Sequence, residues 1–140
     1  MAIRTLWNVG AKVNSLEADV DFFAALGATV RLRETLERPD RSVQYAMLEW
    51  AGTRLYLTPE PVFEQQLPRA LGAGLTHIVV EVDNIEESVQ TAVNAGAVVR
   101  VAPEVVQGGF GKREIAFVES PGGVIIEFID IIEDALDKSV

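Results

Sequence analysis

Apolar residues in this chain fall into short runs rich in Val and Ile, separated by stretches in which they recur every three or four positions. The run Thr76-His77-Ile78-Val79-Val80-Glu81-Val82 is only about seven residues long, which favours a strand over a helix. Leu6–Val13 is its counterpart near the start. After each run, Leu16, Val20 and Phe23, and likewise Ile85, Val89 and Val93, take helical spacing and supply a stripe that packs on a sheet. Asn14 and Asp83 are placed to cap these helices, with Glu17 and Glu86 three positions later returning the bond of a capping box. Gly27 and Gly96 end them. Strand-rich runs follow around Ala28–Leu32, Val43–Trp50 and Thr53–Thr58, then around Ala97–Val101, Arg113–Val118 and Val124–Ile129. Turns at Ala51-Gly52 and Ser120-Pro121-Gly122-Gly123 make the last two strands of each set a hairpin. Between the sets, Pro59, Pro61 and Pro68 interrupt any long regular element in 59–74, and the tail 131–140 reads as a short helix from Ile131.

The two sets are copies. A shift of 69 residues superposes Asn8–Val30 on His77–Val99 without a gap, with Val13/Val82, Glu17/Glu86, Val20/Val89, Gly27/Gly96, Ala28/Ala97 and Val30/Val99 identical. The shift grows to 70 and then 71, pairing Tyr45–Glu49 with Ile115–Glu119 and Gly52–Tyr56 with Gly123–Glu127, as loop insertions require. The organisation is therefore one α+β domain of two tandem βαβββ units, about 1–58 and 75–130.

Composition narrows the function. With 49% hydrophobic and 24% charged residues the chain is an ordinary globular one. It has no run long enough for a membrane span and no secretory block in MAIRTLWNVG, so a cytoplasmic location is expected, with no membrane partner. The absence of Cys excludes disulfides, thiolate metal sites and a cysteine nucleophile. A net charge of -9 with no Lys/Arg cluster argues against nucleic acid.

The stretches LTHIVVEVDNIEESVQTAVNAGA and GFGKREIAFVESPGGVIIEFI resemble the glyoxalase/bleomycin-resistance/extradiol-dioxygenase (vicinal oxygen chelate) superfamily, and the resemblance covers nearly the whole chain. It implies that the two units curl cup-shaped mixed sheets with the helices on the outside, and that four side chains meet inside the cup, one from the first and one from the last strand of each unit, where relatives typically bind a divalent metal. Carried over by position, these are Asn8, Tyr56, His77 and Glu127. Metal-using relatives have His or Gln, Glu, His and Glu there. His77 and Glu127 suit Zn, Fe, Mn or Ni, but an asparagine oxygen and a neutral phenol are much poorer ligands, which leaves the site about one firm ligand short. Glu127 also interrupts the apolar run Val124–Ile129, where an unpaired carboxylate would cost several kcal/mol if buried. A metal, His77, the Tyr56 hydroxyl or a cationic ligand group would compensate it.

Strand alternation extends the pocket to Lys12 beside Asn8, Glu81 beside His77 and Arg54 beside Tyr56. These charges either guide a ligand at the rim or are solvated strand-end groups. Trp7 alternates away from Asn8 and is expected to pack against a helix, and Trp50 is a second candidate for stacking on a planar ligand. Gln107-Gly108-Gly109-Phe110-Gly111 reads as a mobile flap over the cup. Three functions stay open. A metal-free protein that binds a drug or metabolite and a metal-free acid–base enzyme using Glu127, His77 and Tyr56 rank ahead of a divalent-metal-dependent lyase, isomerase or dioxygenase. A homodimer is expected, as resembling proteins often form.

Overall fold

The computed structural model describes residues 2–136. The first unit runs β1 (Ile3–Lys12), α1 (Leu16–Ala25), β2 (Thr29–Glu37), β3 (Ser42–Trp50) and β4 (Thr53–Thr58). The second repeats it as β5 (Gly74–Val82), α2 (Ile85–Asn94), β6 (Val98–Gly108), β7 (Gly111–Glu119) and β8 (Ile125–Asp134). The strands form one curled mixed sheet in the order β2-β3-β4-β1-β5-β8-β7-β6, as expected for an α+β cup. β1 and β5 pair antiparallel at the seam, so both units close on each other within one chain. Beyond the seam, β1 runs parallel to β4 and β5 parallel to β8.

Both helices lie on the outer side. Leu16 and Val20 of α1 pack with Ala46, Leu48, Leu55 and Leu57, and Ile85 of α2 packs with Ala116, Val118 and Phe128. Burying each such aliphatic or aromatic side chain contributes roughly 1.5–3 kcal/mol. The helix stops are as read, with Gly27 and Gly96 at φ 95° and 105°, a left-handed backbone suited to glycine. The starts lie one residue later than read. Ser15 accepts a hydrogen bond from the Ala18 amide and Asn84 from Glu87, which leaves Glu17 and Glu86 one position short of a capping box. Asp83 instead accepts from the Ala2 amide.

The strand readings need two corrections. β2 and β6 run well past the short β-rich cores that marked them, because their continuations pair with β3 and β7. The tail reading fails over Ile131–Asp134, which continues β8 alongside β7 because Arg113 and Gly111 supply ladder partners for Ile131 and Asp134. The end of that reading, 137–140, lies outside the described residues. Among the described residues no helix is long and apolar enough to cross a membrane.

Candidate functional site in the cup

Strand register builds the floor of the cup. Tyr56 of β4, Gly10 of β1 and His77 of β5 lie in one row, and Asn8, Val79, Glu127 and Phe117 in the next. Gly10 is there for space: a Cβ on it would stand 2.1 Å from Cε1 of the His77 ring. The imidazole therefore lies close over Gly10 of β1, ringed by Phe63 at 4.9 Å, Phe117 at 5.6 Å and Tyr56 at 6.4 Å between centroids. Its Nδ1 shares a hydrogen bond of 2.9 Å with Thr76 Oγ1, and its Nε2 faces Glu127 Oε1 at 3.4 Å. His77 is buried and Glu127 partly open, its side chain 16% exposed toward the cavity.

That cavity has a volume of about 70 Å³, well below the roughly 300–1,000 Å³ of sites for drug-sized ligands. Asn8, Tyr56, His77 and Glu127 all line it, so the four positions do converge. Burial, and after it the Glu127 carboxylate, push the Tyr56 pKa up, so at neutral pH this residue is a hydrogen-bond donor and not a phenolate. Tyr45 stacks on it at 5.2 Å. Burial first, then the Glu34 carboxylate, raise the Tyr45 pKa.

The other sequence candidates lie elsewhere. Lys12 donates to Glu64 at 2.9 Å and to the Leu71 carbonyl at 2.8 Å, tying segment 59–73 to β1. Arg54 is buried with its guanidinium 3.6 Å from the Trp7 ring centre, donating to the Trp7 carbonyl. Burial lowers its pKa, opposed by Asp134, Glu49 and Glu81. Glu81 is half-buried near that end and does not line the cavity. Trp7 packs with Phe63, Val79 and Ile129 and not against a helix, because a bulge in β1 makes it the extra residue between Leu6, opposite Val80, and Asn8, opposite Val79. Trp50 lies on the outer side, edge-on to Phe23 of α1 and donating to the Leu26 carbonyl.

Sequence reasoning missed several lining residues. Pro61, Val62 and Phe63 come from the segment between units, which folds inward and makes one helical turn at Glu64–Gln66. Pro59, Pro61 and Pro68 mark only an interrupted element, which does not announce that inward path. Phe110 comes from the stretch read as a flap, which is the turn of the β6–β7 hairpin. Both Glu34 oxygens accept from the Gly109 amide, at 2.6 and 2.9 Å, and fasten it to β2. A Cβ on Gly109 would crowd Leu32 and the end of the Glu34 side chain. An Arg38–Glu104 ion pair of 2.6 Å joins the same two sheet edges. Arg113 of β7 and Arg38, just past β2, are further omissions.

A family model described as the Glyoxalase/Bleomycin resistance protein/Dioxygenase superfamily matches residues 8–128. The chain belongs to that superfamily. No curated protein matches it. Among solved structures, a hypothetical protein from Bacillus halodurans is 27% identical, with a TM-score of 0.69 over 95% of this chain and 98% of that one. A Streptomyces coelicolor methylmalonyl-CoA epimerase variant in complex with 2-nitronate-propionyl-CoA is 23% identical, with a TM-score of 0.69 over 94% and 100%. A Streptomyces coelicolor 4-hydroxymandelate synthase variant is 18% identical, with a TM-score of 0.65 over 91% of this chain and 49% of that one. These last two show the fold alone. Superfamily members commonly use divalent metals, but the donors here do not fit one. Among the described residues no group of three or more His, Asp or Glu comes together. Beside His77 and Glu127 stand only a neutral phenol and Asn8, whose Nδ2 donates to the Val9 carbonyl at 3.3 Å. Catalytic metal sites normally have three firm protein ligands.

Proposed function

We propose that this chain binds a small metabolite or drug-like fragment inside the cup without a resident metal. The observation that carries the reading is the convergence of Asn8, Tyr56, His77 and Glu127 on one small, mostly apolar cavity whose donors fall short of a metal set. Such a cavity takes a ligand of a few heavy atoms through its apolar walls and orients it by few polar groups. A second reading, metal-free acid–base chemistry, is favoured by the 3.4 Å approach of His77 Nε2 to Glu127 Oε1. A proton can pass from either group to a ligand atom seated beside the pair in the cavity, with the Tyr56 hydroxyl donating to a developing negative oxygen.

Titrating isotope-labelled protein with a fragment set, followed by amide NMR, tests the binding reading. Saturable shifts at Asn8, Val79 and Phe117 are expected; shifts confined to the outer face would overturn it. Elemental mass spectrometry on untagged protein is the companion measurement. One metal ion per chain, lost in Glu127→Gln, would replace this reading with the metal-dependent lyase, isomerase or dioxygenase.

A homodimer is part of the same proposal. Leu6, Leu75, Ile78 and Val124 are exposed apolar residues on or beside the strands β1, β5 and β8 at the seam. A sedimentation mass of a single chain at micromolar concentration would refute that part.

A further inference from the structure

Arg113 is out of keeping with the rest of the cavity wall. It is 6% exposed, yet among the described residues no carboxylate lies within ion-pair distance of its guanidinium. Among the described residues its side chain makes one hydrogen bond, from Nη2 to the Phe110 carbonyl at 3.4 Å, near the limit for such a bond, and its buried Nε makes none. A guanidinium stays charged in a protein, and a buried charge without a counterion is strongly unfavourable. Glu127 and Asp134 attract it only through space. The Phe110 ring centre lies 4.5 Å away and the Trp7 ring 5.8 Å, so aromatic contacts occupy the guanidinium while its Nε–H stays free. The Tyr45 ring lines the same cavity.

We propose that Arg113 is the recognition residue for a small monocarboxylate, whose two oxygens complete the guanidinium fork while the rest of the molecule extends toward His77 and Glu127. This rests on the binding reading above and gives it a ligand class. Planar, two-oxygen anions suit the arginine fork better than point charges do. The small volume limits the acid to a few carbons, and Glu127 at the same cavity disfavours a second negative charge.

The test uses the full chain at neutral pH, with propionate, propionamide, n-propylammonium and inorganic phosphate as probes, read on the Arg113 Nε–Hε resonance and on the Val79 and Phe117 amides. Propionate is expected to bind with saturation and about ten-fold more tightly than propionamide, in line with a charge-assisted bond. Arg113→Met should abolish that preference, Arg113→Lys should keep part of it, and Lys112→Met, the same loss of charge at the neighbouring position, should keep all of it. If Arg113→Met does not fold, the Nε–Hε shift and Arg113→Lys still decide. Equal binding of propionamide or n-propylammonium would overturn the carboxylate inference and leave the cup reading standing. Phosphate binding as tight as propionate would also overturn it. No saturable shift with any probe would overturn both.

Discussion

Leu48 in the first unit and Val118 in the second hold equivalent places, both fully buried, one in the cluster under α1 and the other under α2. Turned to the inner side, the equivalents differ. Asn8 stands where the second unit has His77, Tyr56 where it has Glu127, and Val43 where it has Arg113. A helix layered on a sheet demands an apolar face in both copies, whereas the inner surface is constrained only by what it must hold. At the four cup positions the groups able to carry charge therefore come from the second unit, and the first supplies an amide and a phenol there; its one charged lining residue, Arg38, lies past the end of β2 and is paired with Glu104.

Four perturbations break or sharpen that comparison. The largest effect is expected on the shared face: Leu48→Ala should lower stability by about 2–5 kcal/mol, with Val118→Ala in the same direction, both read by urea denaturation. A neutral result at either would show that the two faces are not equivalent. Next, Tyr56→Glu gives the first unit the carboxylate its partner has. It should convert the cavity into a site holding one divalent ion per chain, with zinc at 100 times its dissociation constant stabilising the fold by about 2.7 kcal/mol. Absence of zinc-dependent stabilisation would show that the geometry, and not the donor count, prevents metal binding.

Gly10→Ala comes third. The new methyl must displace the His77 ring, at a cost of about 1–3 kcal/mol in stability and with loss of fragment shifts at Val79, while the helix-packed clusters keep their spectra. An unmoved His77 resonance would disprove the cross-strand requirement. The smallest effect concerns Glu119, held by Arg69 at 2.9 Å and Arg100 at 2.8 Å. The hydrogen bond from Arg69, reinforced by Arg100, keeps its pKa below the usual carboxylate range. Its contribution to stability is thus present above the unfolded pKa and lost as pH falls through the folded one. Glu119→Gln should flatten the acid limb of a melting-temperature profile below about pH 4.5; an unchanged limb would assign that limb to other groups.

The repeat made most of the fold legible. A fixed shift of 69 to 71 residues carried each strand, helix stop and hairpin of one unit to the other, and with the resemblance it located the four cup positions. What was not legible depends on geometry that periodicity does not carry. Trp7 reaches the inner side through a bulge, which no alternating pattern announces. Phe63 and Phe110 lie outside the strands and line the cavity because 59–73 folds inward and the β6–β7 turn is fastened by Glu34. Arg113 sat in a run read as strand, but its inner face gave no hint that its counterion would be missing. Ser15 and Asn84 displaced the expected caps because Asn14-Ser15 and Asp83-Asn84 are each two good capping residues in succession.

The β1–β5 seam has a consequence for counting. Because that antiparallel pairing joins the two units of one chain, every chain carries a whole cup, walls and floor together. Ligand stoichiometry should therefore be one per polypeptide at any dilution, and binding curves taken at nanomolar and at micromolar protein should superimpose after scaling.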